Sequence, residues 1–501
     1  MPASLAYIQS SFRTSAALNC STIYKMAGSP EVPRPTHSSK PSFALSINTY
    51  RSDTWNWNKH SANADIEAQR TPRMCFASIR YLILSVYRRI FTLVYCANAV
   101  AFIIIMVKSR SKLVAFVNAA GINLLVCGLA RHPLVVNAIF RTVCRIPTSA
   151  PFALRKRAAE AYCYGGMHSG CGVAAFLWYT GLVALMSREF CINPDSGVVT
   201  IPVIVLSYVL LVVLIAMIVV AHPSFRAKRH DYFELTHRFS AWSAVALFLT
   251  LLLVFSDQAR KVQGVSLGQY LIELPAFWVV LLIVATIIHP WLLLRRVTVT
   301  PEVLSSHAIR LHLNHADTAF GKVIALTEHP LRDWHSFATF PDPDGKSFSC
   351  IVSKAGDWTA RCIDEKPTKL WKRGVLMYGF IHVMRVFTRV VVVATGSGMG
   401  PCLSFLSEKR RPPLRVIWQT RNPKKTYGPD VLKLVHQLDP DPLLIDTGNS
   451  GRVDMVPIIQ EAFREFDAEA VCVISNSWLT RKIVFELKTS GVPAFGPIFD
   501  S

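Results

Sequence analysis

The chain holds 501 residues, of which 51% are hydrophobic and only 17% charged, with a formal net charge of +22. That charged share sits below the roughly 25% typical of soluble domains, and the length suits two or three domains. The excess of Lys and Arg therefore reads as the loop charge of a membrane protein, not as a nucleic-acid footprint.

In chain order, residues 1–77 lack apolar periodicity and are rich in Ser, Thr, Asn and Pro. They are expected to form a disordered basic arm with no secretory apolar segment. Residues 78–296 contain six apolar runs: Phe91–Val107, Leu113–Leu129, Met167–Met186, Val198–Ala221, Phe239–Phe255 and Leu271–Leu294. Each approaches the roughly 20 residues that a bilayer core demands. Arg131, Arg141, Arg145, Arg155, Lys156 and Arg157 lie between runs two and three; Arg226, Lys228 and Arg229 lie between runs four and five. The alternate connections carry less, Arg188 in one and Arg260 with Lys261 in the other. By the positive-inside rule both termini face the cytoplasm, although Lys108, Arg110 and Lys112 oppose that assignment. The expected setting is the lipid bilayer of the plasma membrane or an endomembrane. The 12 cysteines form no CxxC pair and read as reduced, buried thiols.

After Arg296 the pattern shortens. His307–Leu313, Lys322–Leu326 and Ser347–Ser353 alternate as antiparallel strands, predicting a small β-barrel over 297–385. Over 386–501 strand-like and helical stretches take turns, from Val390–Ala394 and Pro401–Glu408 to Val471–Ile474 and Leu479–Lys488. That order predicts a parallel α/β domain. The expected fold class is a polytopic α-helical membrane bundle of about six spans, an antiparallel β-barrel, and an α/β nucleotide-binding domain.

Three constellations carry chemistry. Gly396-Ser397-Gly398-Met399-Gly400-Pro401 follows an apolar strand and precedes a helical stretch. Glycines there permit a tight turn and close approach of a diphosphate to a helix N-terminus; the plainer alternative is an ordinary strand-to-helix turn. Asp333-Trp334-His335-Ser336-Phe337-Ala338-Thr339 sets aromatics beside polar groups, and Lys354-Ala355-Gly356-Asp357-Trp358-Thr359 follows an apolar strand. They offer a flat apolar face and cations to a flavin, or else simply barrel core plus a turn.

The order of these motifs resembles the ferric reductase and NADPH oxidase superfamily, in particular its fungal TmpA-like branch of membrane flavoproteins. The resemblance spans about Tyr81 to Ser501. It implies a ferredoxin reductase-type FAD and NAD(P) module. Trp334, His335, Ser336, Phe337 and Ala338 stand at its flavin motif, with Lys354, Gly356, Asp357, Trp358 and Thr359 in the segment after it. Gly396, Gly398, Gly400 and Pro401 stand at its nicotinamide loop, Tyr378-Gly379 at its phosphate turn, and Phe499 at the terminal aromatic that caps the flavin. Ser336 and Ala338 replace the proline and threonine of the flavin motif, and Ser475-Asn476-Ser477 replaces its Cys-Gly-Pro. Arg421, with Lys424 and Lys425, could pair with a 2′-phosphate; a solvated basic loop explains them equally.

Members of that superfamily that carry electrons across a membrane use stacked b-type haems held between the third and fifth spans. Here His168 and His237 stand alone on those spans, so the resemblance allows at most one b-type haem between them. A histidine inside a span suggests function, yet Gly165, Gly166 and Gly170 around His168 suit plain helix packing. The expected function is an NAD(P)H-dependent, ferric reductase-like flavin oxidoreductase delivering electrons to an unidentified acceptor on the cytoplasmic side of, or within, the membrane. The alternative is a redox-sensing membrane flavoprotein with little turnover; a transporter is weaker, since no span carries a paired acidic or basic path.

Overall fold

The computed structural model describes residues 79, 81, 84–193, 197–314 and 318–498. The arm expected over 1–77 and the capping residue Phe499 lie outside the described residues. The described chain opens with helices α1 (Val86–Lys108), α2 (Lys112–Leu129), α3 (Pro133–Val143), α4 (Phe152–Ala158) and α5 (Gly165–Ile192). It continues with α6 (Ile201–Val220), α7 (Pro223–Lys228), α8 (His230–Gln263), α9 (Leu267–Glu273) and α10 (Pro275–Leu292). Six helical stretches, namely α1, α2, α4 continuing into α5, α6, α8 and α10, are long and apolar enough to cross a membrane.

Two ends differ from the periodicity reading, for local reasons. The apolar run begun at Leu271 breaks, because Pro275 holds Leu274 extended (φ −92°, ψ 108°) and separates α9 from α10. Helix α8 outruns Phe239–Phe255 at both ends. Its polar N-terminal turns are held by a Glu234–Arg238 pair one turn apart.

Small residues set how closely the helices approach. A Cβ at Gly166 would lie 2.4 Å from the Tyr87 carbonyl oxygen of α1, and one at Gly170 would lie 3.1 Å from Val94. Asn98 and Asn123 exchange amide hydrogen bonds of 3.1 and 2.8 Å, and Trp178 Nε1 donates to Asn98 Oδ1 at 2.8 Å. This polar knot ties α1, α2 and α5 together. Leu93, Val100, Ile103 and Val107 of α1 remain exposed on the outside, a surface suited to lipid rather than water.

The barrel comprises β1 (Arg295–Val303), β2 (Ala308–Leu313), β3 (Lys322–Thr327), β4 (His335–Ala338), β5 (Phe340–Pro341), β6 (Phe348–Ser353), β7 (Lys369–Lys372) and β8 (Met377–Tyr378). Strand order is β4-β3-β7-β1-β2-β6-β5, with β8 also on β3. The two edge strands, β4 and β5, are separated in sequence by Thr339 alone, so the sheet curls until it nearly closes. Alternation fills the inside with Val297, Val299, Ile309, Leu311, Ile324 and Leu326. Helix α11 (Asp357–Glu365) plugs one end with Trp358, Cys362 and Ile363.

The last layer is a five-stranded parallel sheet: β9 (Val390–Thr395), β10 (Leu414–Thr420), β11 (Leu443–Asp446), β12 (Ala470–Ile474) and β13 (Ala494–Phe495), ordered β11-β10-β9-β12-β13. Helices α12 (Met399–Cys402), α13 (Pro423–Leu438), α14 (Met455–Glu465) and α15 (Ser477–Thr489) connect them. Strand order reverses beside β9, and in such sheets the ligand crevice opens beyond the strand C-termini at that point. The expected helix Pro401–Glu408 is instead the short α12 followed by a 3₁₀ turn, Leu403–Ser407.

The segment between α2 and α5 is more than a loop. α3 and α4 form a platform under the barrel and the α/β sheet. Asn137 Nδ2 donates to the Leu376 carbonyl at 3.0 Å and its Oδ1 accepts from Tyr378 N at 2.8 Å. Arg155 donates to both carboxylate oxygens of Glu469, at 2.5 and 2.7 Å, and to the Val386 carbonyl at 3.1 Å.

Candidate functional site

The crevice at the end of β9 is built from glycines whose lack of a side chain is used. Gly396 sits at φ +50°, a left-handed conformation other residues rarely adopt. A Cβ at Gly398 would fall 2.2 Å from the Ile474 carbonyl oxygen of β12, and one at Gly400 3.4 Å from Ile351 of β6. The turn is thus pressed between its own sheet and the barrel, which brings the nicotinamide-loop candidates beside the barrel motifs. Trp418, fully buried, donates from Nε1 to the Gly396 carbonyl at 2.9 Å and packs against buried Tyr427 with ring planes tilted by 53°. Across the crevice floor Thr395 Oγ1 and Ser475 Oγ are hydrogen-bonded to each other. Ser475 therefore presents a hydroxyl engaged by its neighbour, where the resemblance implies a thiol.

On the barrel, His335 and Phe337 lie two residues apart on β4 and share a face. Both stack on Trp358 at 27° interplanar angles, with ring centroids 4.5 and 5.7 Å apart. Trp358 is only 4% exposed, whereas His335 and Phe337 stay partly open. Trp358 is therefore an underlayer belonging to the barrel core, and the two accessible rings form the platform above it. Asp333 accepts from His335 Nε2 at 2.5 Å and holds the imidazole in place. Ser336 points outward and is exposed, Ala338 offers only a methyl, and Trp334 is 9% exposed. Trp334 turns toward the helical region, where its backbone N–H donates to Glu234 at 3.3 Å and Arg373 stacks between it and Trp291. It belongs to the seam with α8 and α10 rather than to the platform.

The segment Lys354-Ala355-Gly356-Asp357 is exposed and leads into α11. Thr359 Oγ1 accepts from Ala355 N at 2.8 Å and Gly356 N at 2.9 Å, which shapes the turn. The helix start and Lys354 remain open to an anion. Pro401 continues the glycine turn into α12, and Arg421, Lys424 and Lys425 are exposed beyond β10. Sequence reasoning passed over Trp478, 62% exposed in the first turn of α15 just after Ser475. Its signal was a large aromatic directly after a strand end, at the crevice mouth.

In the helical region His168 and His237 face each other with ring centroids 6.4 Å apart. His168 Nδ1 bonds to the Cys127 carbonyl at 2.9 Å, which orients the ring and leaves Nε2 free. His237 Nδ1 is buried without a hydrogen-bond partner, while Glu234, one helical turn before it, pairs with Arg238. Among the described residues no cluster of three or more His, Cys, Asp or Glu could hold a metal ion.

Residues 380–501 match the family model "Adenylate-forming reductase 03009, C-terminal domain". Adenylate-forming reductase 03009 of Coprinopsis cinerea is 38% identical over 437 residues, 87% of this chain, and adenylate-forming reductase 06235 of the same fungus is 37% identical over 434 residues, 86% of this chain. The chain spans 42% of the length of each of these curated relatives. Among solved structures, a ferredoxin NADP+ reductase from Neisseria gonorrhoeae with bound FAD and NADP aligns over 41% of this chain and 99% of its own, at 12% identity and TM-score 0.33. A ferredoxin-NADP+ reductase from Plasmodium falciparum with 2′P-AMP aligns over 41% of this chain and 95% of its own, at 14% identity and TM-score 0.33. The TmpA-like branch suggested by the motif order is not among these relatives, which carry the name adenylate-forming reductase instead.

Proposed function

We propose that this chain is a membrane-anchored flavoprotein module that takes electrons from NAD(P)H through FAD to an acceptor at the cytoplasmic edge of the bilayer or within it. The observation that carries the reading is the seating of the Gly396–Gly400 turn against barrel strand β6, beside the His335–Phe337 platform. The residues suit the two groups. The platform offers a flat apolar face, the open start of α11 with Lys354 offers N–H donors and a cation to a diphosphate, and the glycine turn admits a second diphosphate closely. FAD, when bound, would accept hydride from the nicotinamide and release electrons singly. The chain's own part is to stack the flavin, hold the nicotinamide at the crevice and exclude water beneath it through the buried Trp418–Tyr427 pair. Trp478 would stack on the nucleotide at the crevice mouth, and Arg421 with Lys424 and Lys425 would favour a 2′-phosphate, hence NADPH. The relatives are named reductases; under this reading the shared segment supplies reductive electrons.

The facing His168 and His237 motivate one addition: they would hold a single b-type haem, the oriented Nε2 of His168 and the unpartnered imidazole of His237 serving as ligands. The test is the visible spectrum of detergent-purified protein before and after NADPH. Flavin absorbance bleached by NADPH, with turnover once an artificial acceptor is added, supports the reading. Absence of flavin overturns it. Bound flavin without turnover favours the redox-sensing alternative, to which the replaced Cys-Gly-Pro points. A Soret band lost in His168→Ala supports the haem; more than one haem per chain refutes that assignment.

A further inference from the structure

Helix α3 carries Leu134, Asn137 and Arg141 at helical spacing, with Arg145 one turn on, so they form one stripe. With Lys322 of β3 and Leu376, this stripe lines a half-open cavity of about 440 Å³ beside the Asn137–Leu376 contact. That volume lies within the range of small-molecule sites. Its three cations face no carboxylate. Among the described residues the Arg141 and Arg145 side chains make no ion pair or hydrogen bond. Lys322, only 8% exposed, donates to the Leu376 carbonyl at 2.9 Å and to Asn137 Oδ1 at 3.3 Å, with its ammonium 3.6 Å from the Tyr378 ring centre. An ammonium has three donors; two go to these oxygens, and the third is one that a ligand would share with the Tyr378 ring. Burial, with Arg141 nearby, pushes Lys322 down to about 8, a strain that a bound anion would relieve. The other end of the cavity is apolar, with Leu134 47% exposed. That end adjoins the helix ends: Gly374 N bonds the Pro290 carbonyl of α10 at 3.1 Å, and a Cβ there would lie 3.5 Å from Pro133.

We propose that this cavity is a binding site for a phosphate monoester, its three cations holding the phosphate and Leu134 with Leu376 meeting an attached apolar chain. The phosphate can come from an anionic phospholipid headgroup or from a small soluble phosphate. The apolar end near the C-terminal end of α10 favours the lipid, a preference that rests on the membrane reading above; the phosphate chemistry does not.

The test uses the full chain in detergent without nucleotide. Thermal unfolding is followed with dioctanoyl phosphatidic acid, dioctanoyl phosphatidylcholine and glycerol 3-phosphate, for wild type and for the Arg141→Gln/Arg145→Gln double variant. Both arginines are exposed and unpartnered, so the variant should fold. Phosphatidic acid should stabilise wild type, phosphatidylcholine should not, and the double variant should bind about a hundredfold more weakly, roughly a factor of ten for each arginine–phosphate hydrogen bond removed. Equal stabilisation by glycerol 3-phosphate supports the phosphate site with a soluble source. Equal responses of wild type and variant, or no response to either phosphate, overturn the proposal. Flavin absorbance and NADPH oxidation read on the same samples report the redox function separately, so the two can fail independently.

Discussion

At the scale of single residues, space and flat surface decide the site. Gly398 has no room for a side chain, since its Cβ would lie 2.2 Å from a backbone oxygen that cannot swing away. Gly398→Val should therefore displace the turn and raise the Kd for NADPH at least about tenfold, within the 1–3 kcal/mol range of overpacking, while leaving flavin bound. Isothermal titration with NADPH and a flavin spectrum on the same sample check this, and loss of both signals would mean that the sheet itself had failed. Phe337 stays partly open and stacks on Trp358. Phe337→Ala should weaken flavin retention by about tenfold, the order expected when one aromatic stack is removed. Flavin release on dilution measures it, and retention equal to wild type would move the flavin away from β4.

At the scale of elements, the notable piece is the platform of α3 and α4. Buried Arg155 grips Glu469 bidentately, and that hydrogen-bonded pairing pulls the Glu469 carboxyl down to about 2. A depressed carboxyl stabilises the fold fully above its ordinary value of 4.5 and loses that contribution as pH falls toward 2. Arg155→Met should cost about 2 kcal/mol near neutral pH, below the 3–5 kcal/mol of fully buried pairs because Glu469 is partly exposed. The gap between wild type and variant in thermal unfolding should narrow as pH drops below 4.5. A gap independent of pH would assign Arg155 a packing role only. Against Phe140 of α3, His382 is buried with Nδ1 on the Phe320 carbonyl at 2.8 Å; burial pushes this imidazole down to about 4, so it stays neutral near pH 7.

At the scale of the whole molecule, the barrel, the α/β sheet and the α3–α4 platform all gather at one end of the helices. The opposite end carries Cys191, exposed near the C-terminus of α5. If the helices span a bilayer, a membrane-impermeant thiol reagent should label Cys191 in sealed vesicles only from the side opposite to that on which NADPH is oxidised. Peptide mapping of the labelled cysteine checks it, and labelling from the NADPH side would refute the six-span topology.

Much of this was legible from local pattern. Runs near 20 apolar residues, period-two strands such as Lys322–Leu326 and the glycine turn after Val390–Ala394 are each specified by neighbours in sequence, because helix and strand periodicity and glycine's backbone freedom act over a few residues. Tertiary structure alone decided which of those residues meet. The motif tryptophan Trp358 sank beneath His335 and Phe337, and Trp334 turned to the helices. A basic connection folded into a platform whose Arg155 reaches Glu469, some three hundred residues on, while two other arginines were left facing a cavity without counter-charge. Such pairings depend on chain closure between distant segments and on desolvation where they touch, and neither has a signature in local sequence.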